Sequence, residues 1–119
     1  MIRARRSFCA SFKSSQVVDL LIVSAHWGSN WGYRPLREHI LFGHALIEAG
    51  ADIISGHSSH VFRGIEFYNG RPIIYSAGNF IDDYAIDRIE RNDQSFIFVI
   101  EVADRKPKVM RLYPTLIRG

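Results

Sequence analysis

From Val17 onward the hydrophobic positions fall into short, separated blocks. Residues 17–24 (VVDLLIVS) form a nearly continuous apolar run rich in β-branched residues, the pattern of a strand buried on both faces. A polar, glycine-containing loop spans 26–34. Residues 36–49 then predict a helix, with Ile40, Leu41, His44, Ala45, Ile47 and Glu48 at helical spacings and Gly50 placed as its left-handed cap. Residues 51–55 (ADIIS) read as a second short strand ended by Gly56. Strand, helix and strand on such short joins make a βαβ unit, whose crossover is expected to be right-handed.

The second half changes period. Residues 64–68 and 71–75 flank Asn69-Gly70, a pair suited to the positive φ angles of a type I′ turn, so a hairpin is predicted. Pro72 has no N–H to give a ladder, which puts its strand at a sheet edge or puts Pro72 at a strand start. A loop holds Asn79, and an acidic stretch follows with Asp82, Asp83, Asp87, Glu90 and Asp93. Phe96, Phe98, Ile100 and Val102 alternate with Ile97, Val99 and Glu101 as a strand does. A turn over 104–107 returns the chain along 108–113. The fold class is α/β, with a βαβ unit first and antiparallel hairpins afterwards.

Length and charge narrow the function. At 119 residues the chain holds one domain at most, read as a basic segment over 1–16 and a folded part over 17–119. Residues 1–16 are rich in Arg and Ser and free of acids, like an organelle transit peptide; a frayed or misassigned start is the plainer reading. Cys9 is the single cysteine, so no disulfide forms within the chain. No apolar run approaches the roughly 20 residues of a membrane-spanning helix. Residues 14–104 hold all twelve acids and six of the fifteen basic residues, a balance of −6, while the cations gather at the two ends. A nucleic-acid binder concentrates cations on its folded body, so no nucleic-acid partner is expected.

Ligands of open α/β sheets bind outside the carboxyl ends of parallel strands. Two loops leave from such ends, one with His26 and one with His57 and His60. With neighbouring strands about 4.8 Å apart, imidazoles about two residues past each strand reach one point. Converging neutral imidazoles are how a protein presents nitrogen to a transition metal. A hydrogen-bonded or solvated loop histidine is the competing reading, since H-x-x-H alone is a weak motif. Gly28 and Gly56 are expected to let the backbone turn tightly and admit a ligand. His44 reads as a satisfied core histidine and His39 as exposed. Trp27 and Trp31 either wall a pocket or cap the core. Asn79 is either a ligand-facing amide or a turn former. The acids of 82–93 read as a solvated loop, with Asp82 or Asp83 near the site as the minority reading.

The motifs IVSAHWG (22–28), ALIEAGADII (45–54), GHSSHVF (56–62), GIE (64–66) and PIIYSAGNF (72–80) together resemble the C-terminal part of the CapA family. These are the poly-γ-glutamate capsule-synthesis proteins, a branch of the calcineurin-like metallophosphoesterase superfamily. The resemblance implies that residues 17–119 are a partial CapA-like domain, the C-terminal half of a four-layer α-β-β-α sandwich. It further implies a divalent metal (Mn, Fe or Zn) held by His26, His57 and His60. His60 takes its part only if the H-x-x-H loop bulges by one residue, because the superfamily's motif is G-H-x-H. The superfamily's D-x-H, G-D and G-N-H motifs have no counterpart in residues 1–16. Those motifs carry the carboxylate that bridges two metals, so a truncated chain that is inactive by itself is expected.

Three functions follow from this reading. One is a metal-dependent, hydrolase-like CapA protein of poly-γ-glutamate capsule biosynthesis, acting on a phosphate-containing substrate. Another is a non-catalytic module that binds or assembles an anionic polymer. A third is an inactive gene remnant. Self-association through an exposed sheet is expected if half a sandwich stands alone. The family is tied to the cell envelope, but residues 1–119 show neither a signal nor an anchor, so no compartment is assigned.

Overall fold

The computed structural model describes residues 18–83 and 85–118; the basic segment 1–16 lies outside them. The order is β1 (Ile22–His26), α1 (Arg37–Glu48), β2 (Ile53–His57), β3 (Ile65–Tyr68), β4 (Arg71–Ile74), β5 (Gln94–Ala103) and β6 (Lys106–Leu116). Four strands make a mixed sheet in the order β1-β2-β4-β3, parallel from β1 to β4 and antiparallel between β4 and β3. β5 and β6 form a separate antiparallel ribbon. The α/β class and the change from βαβ to hairpins are as the periodicity predicts.

Both parallel strands lie further along the chain than the apolar runs indicate. β1 begins at Ile22, because the Leu21 N–H is taken by Asp52 Oδ2 (2.9 Å) and the Leu21 carbonyl receives the N–H groups of Asp52 and Ile53. Pairing then continues to the end of the register, Ile22 with Ile53 through His26 with His57. The two histidines are therefore the last residues of their strands, rather than two residues beyond them.

Pro72 does not lie at the sheet edge. β4 is an interior strand, and the edge beyond it is β3. β4 tolerates the proline because its ladder to β2 begins only at Ile73, after the position that lacks a donor. The β3–β4 turn has Asn69 at φ +50° and Gly70 at +71°, and the β5–β6 turn has Asp104 at +52° and Arg105 at +60°. Both are two-residue turns with left-handed central residues, whose twist matches that of the strands.

Helix α1 covers one face of the sheet. Gly43, Leu46 and Ile47 are buried on that side. Gly43 lets the helix approach closely, since a Cβ there would stand 3.3 Å from Ile73 Cδ1. Trp27, Ala49, Ala51, Ile54, Ile73 and Tyr75 complete this core. On the other face, Ile22, Ile53 and Ile74 meet Phe80, Phe96 and Phe98 around an apolar hollow of about 480 Å³. Phe67, Ile97, Val99, Leu112 and Tyr113 are further exposed apolar side chains. No helix among the described residues is long and apolar enough to cross a membrane.

Candidate functional site

The site begins where β1 and β2 end. As register partners on adjacent parallel strands, His26 and His57 project side by side. Their Nδ1 atoms stand 3.2 Å apart and the rings meet edge to face. Ser24, two residues earlier on the same face of β1, places its hydroxyl 3.1 Å from His57 Nε2. Both imidazoles are exposed to solvent. Two nitrogens bound to one tetrahedral ion at Zn–N distances near 2.05 Å would be separated by roughly 3.3 Å. The two rings are at hydrogen-bond distance, a spacing that two nitrogens on one ion also adopt, and the Ser24 hydroxyl engages the other nitrogen of His57.

His60 belongs to a second cluster. Its Nδ1 lies 3.1 Å from Asn79 Oδ1 and 3.6 Å from Asp82 Oδ2. Asn79 in turn donates from Nδ2 to Asp82 and to the Asn92 carbonyl. With Asn79 Oδ1 as the acceptor, His60 Nδ1 is the donor of this contact. Trp31 tilts over the ring at 5.4 Å between centroids. Asn79 thus faces the cluster, and Asp82 is the acid that the stretch 82–93 contributes. Among the described residues, no three His, Cys, Asp or Glu side chains gather as a metal-holding group.

The acidic stretch is not uniformly solvated. Asn92 and Asp93 are buried, and Asp82 has a side chain only 10% exposed. Asn92 bridges the loop by accepting from the Asp87 N–H and donating to the Ala85 carbonyl. Arg91 binds both oxygens of Asp93 at 2.9 Å, holding that carboxyl below the usual carboxylate range. Backbone N–H groups of Glu90 and Ile89 lower the Asp87 carboxyl in the same sense.

The loop between β1 and α1 is organised by a residue the motif pattern did not single out. Arg63 is 3% exposed, and it donates to the carbonyls of Ser29 (2.7 Å), Trp31 (3.0 Å) and Gly32 (2.9 Å). Burial lowers its pKa. Its Nη1 faces Gly28 and has no hydrogen-bond partner among the described residues. From the other side, Glu90 accepts the Gly32 N–H and its carbonyl accepts the Tyr33 hydroxyl, whose pKa burial raises. A lone arginine between apolar Phe62 and Gly64 is the only sequence signal for this clamp.

Gly28 and Gly56 do not open space for a ligand. Gly28 sits at φ +85°, and the volume a Cβ would take is filled by the Arg63 guanidinium and the His39 ring. A Cβ on Gly56 would run into the Ile74 and Tyr75 carbonyls and the Trp27 indole. His39 is not exposed: its ring stacks on Trp27, and its side chain keeps 12% exposure. Trp27 is a core residue, with Nε1 donating to the Tyr75 carbonyl at 2.7 Å, while Trp31 is the exposed one. His44 is satisfied by Glu66 Oε1 at 2.8 Å and stacks flat on Tyr68. The Tyr75 hydroxyl donates to the other Glu66 oxygen, and burial, then Glu66, pushes its pKa well up.

The sequence profile described as bacterial capsule synthesis protein PGA_cap matches residues 6–84. The chain belongs to this family. A probable polyglutamine synthesis accessory protein of Mycobacterium tuberculosis is 54% identical over 66 residues, covering 56% of this chain and 17% of the relative. The PGA biosynthesis protein CapA of Bacillus subtilis is 45% identical over 65 residues, 55% of this chain and 17% of that protein. The capsule biosynthesis protein CapA of Bacillus anthracis is 40% identical over 65 residues, with 55% and 16% covered. The aligned stretch of this chain therefore spans about one-sixth of each of these relatives.

Proposed function

We propose that this PGA_cap chain acts in the biosynthesis of a poly-γ-glutamate-type capsule, and that its functional centre is a divalent metal site at the carboxyl ends of β1 and β2. The convergence of His26 and His57 at the ends of two paired parallel strands supports the reading, since their Nδ1 atoms, at a hydrogen-bond distance of 3.2 Å, are also close enough to share one ion. His60, oriented by Asn79 and Asp82, is the third ligand of this proposal and would deliver Nε2 through a shift of the 57–60 loop. When bound, a Mn, Fe or Zn ion would supply Lewis acidity toward a phosphate-like group. By accepting an Nε2–H, Ser24 would hold His57 in the metal-competent tautomer, and the Arg63 clamp holds Trp31 against His60. Three neutral imidazoles contain no bridging carboxylate, so ion binding rather than turnover is the property assigned to these residues.

Calorimetric titration of the full chain with Zn²⁺ or Mn²⁺ tests the reading. One ion per chain, lost in His26→Ala and in His57→Ala and weakened in His60→Ala, supports it. Identical binding by wild type and all three variants would overturn it. A second reading, compatible with a relative named as a synthesis accessory protein, has the chain bind or assemble the anionic polymer without chemistry. Polymer binding that is salt-dependent and unchanged in His26→Ala would mark that case.

A further inference from the structure

At the opposite end of the sheet from the histidines, two hairpin turns enclose a small hollow. Asn69, Gly70 and Arg71 of the β3–β4 turn form one wall, and Lys106, Pro107 and Lys108 at the start of β6 form the other, around about 210 Å³. Three successive residues of a regular strand cannot line one hollow, since alternate side chains point to opposite faces. The ribbon register explains the departure. Val102 pairs with Pro107 and Glu101 with Val109, so Lys108 is the extra residue of a β-bulge. A bulge re-aims a side chain, and here it adds a second lysine to the hollow. Arg71 is held in place by Asp52, which is 1% exposed. The lining holds three cations and no acid, and among the described residues neither lysine has a carboxylate partner. The nearby Arg105 and Arg111 are engaged by Asp19 and Glu101.

We infer that this hollow binds a carboxylate of a polyanionic chain, with Lys106, Lys108 and Arg71 as its cationic contacts. The volume suits one charged group of a longer polymer rather than a whole drug-sized ligand. The choice of a polycarboxylate rests on the polymer-handling reading above, whereas the site itself rests on the bulge and the charge pattern.

The test is fluorescence-anisotropy titration of the full chain with labelled poly-γ-glutamate at several salt concentrations, beside a labelled single-stranded oligonucleotide of equal charge. The doubly substituted Lys106→Gln, Lys108→Gln chain should bind the polymer roughly tenfold more weakly and with a shallower salt dependence. Both positions are exposed, and an unchanged thermal melt would show that the fold is intact. Wild-type affinity in the double variant would overturn the site while leaving the polymer reading standing. No polymer binding by the wild type would overturn both. Equal or tighter binding of the oligonucleotide would overturn the carboxylate assignment.

Discussion

Replacing Arg63 with methionine should cost the fold about 2–3 kcal/mol. The buried guanidinium makes three hydrogen bonds to backbone carbonyls, those of Ser29, Trp31 and Gly32, and a fourth to the Ser29 hydroxyl at 3.2 Å. Net values of about 1 kcal/mol per bond give about 3 kcal/mol for the three carbonyls. Two effects reduce that sum. Methionine relieves the desolvation that depresses the arginine's pKa, and the loop carbonyls lie near solvent and can rehydrate. Methionine also fills most of the arginine's volume, which keeps the cavity contribution small. Urea denaturation, followed by tryptophan fluorescence, reads the difference in midpoint at constant slope. Arg63→Lys should fall between the two, since one ammonium cannot reproduce the planar fork. A loss below about 0.5 kcal/mol in Arg63→Met, the range of ordinary surface substitutions, would refute the clamp.

Gly28→Ala should destabilise by at least about 2 kcal/mol, since a Cβ there meets both a left-handed backbone and the Arg63 guanidinium. Gly32→Ala, at φ +93° with nothing within 4 Å, should lose only about 1 kcal/mol in the same denaturation assay. Tyr75 has a raised pKa, so its contribution is complete below the ordinary tyrosine value near 10 and is lost as pH rises beyond it. Alkaline unfolding followed by circular dichroism should be shallower in Tyr75→Phe. Asp93 has a lowered pKa, so its contribution is present above the ordinary carboxylate value near 4 and fades as pH falls through the folded one. Asp93→Asn should flatten the acid limb of the stability curve.

Periodicity and turn chemistry made most of the architecture legible. Asn69-Gly70 marked its hairpin because few other pairs accept two positive φ angles, and Gly50, at φ +111°, marked the helix end. The start of β1 was not legible. Val17–Leu21 is as apolar as the true strand, and what excludes Leu21 is a contact from Asp52, 31 residues away. Pro72 was ambiguous for a related reason: sheet order is set by long-range pairing, which local pattern does not encode. At the site, the convergence of His26 and His57 was legible from the two neighbouring parallel strands, although both residues end their strands rather than follow them. His39 was misread because Trp27, which covers it, is twelve positions earlier, beyond helical reach. Arg63 and Asn92 were invisible because their partners are carbonyls and amides that leave no motif.

In the proposed site His26 and His57 share one ion through Nδ1. Long-range ¹H–¹⁵N correlation spectra of the histidine rings, recorded as Zn²⁺ is added, read that coordination atom by atom. The Nδ1 resonances of His26 and His57 should shift together and saturate at one equivalent, while His39 and His44 stay in place. Coordination through Nε2, or shifts confined to other histidines, would contradict it.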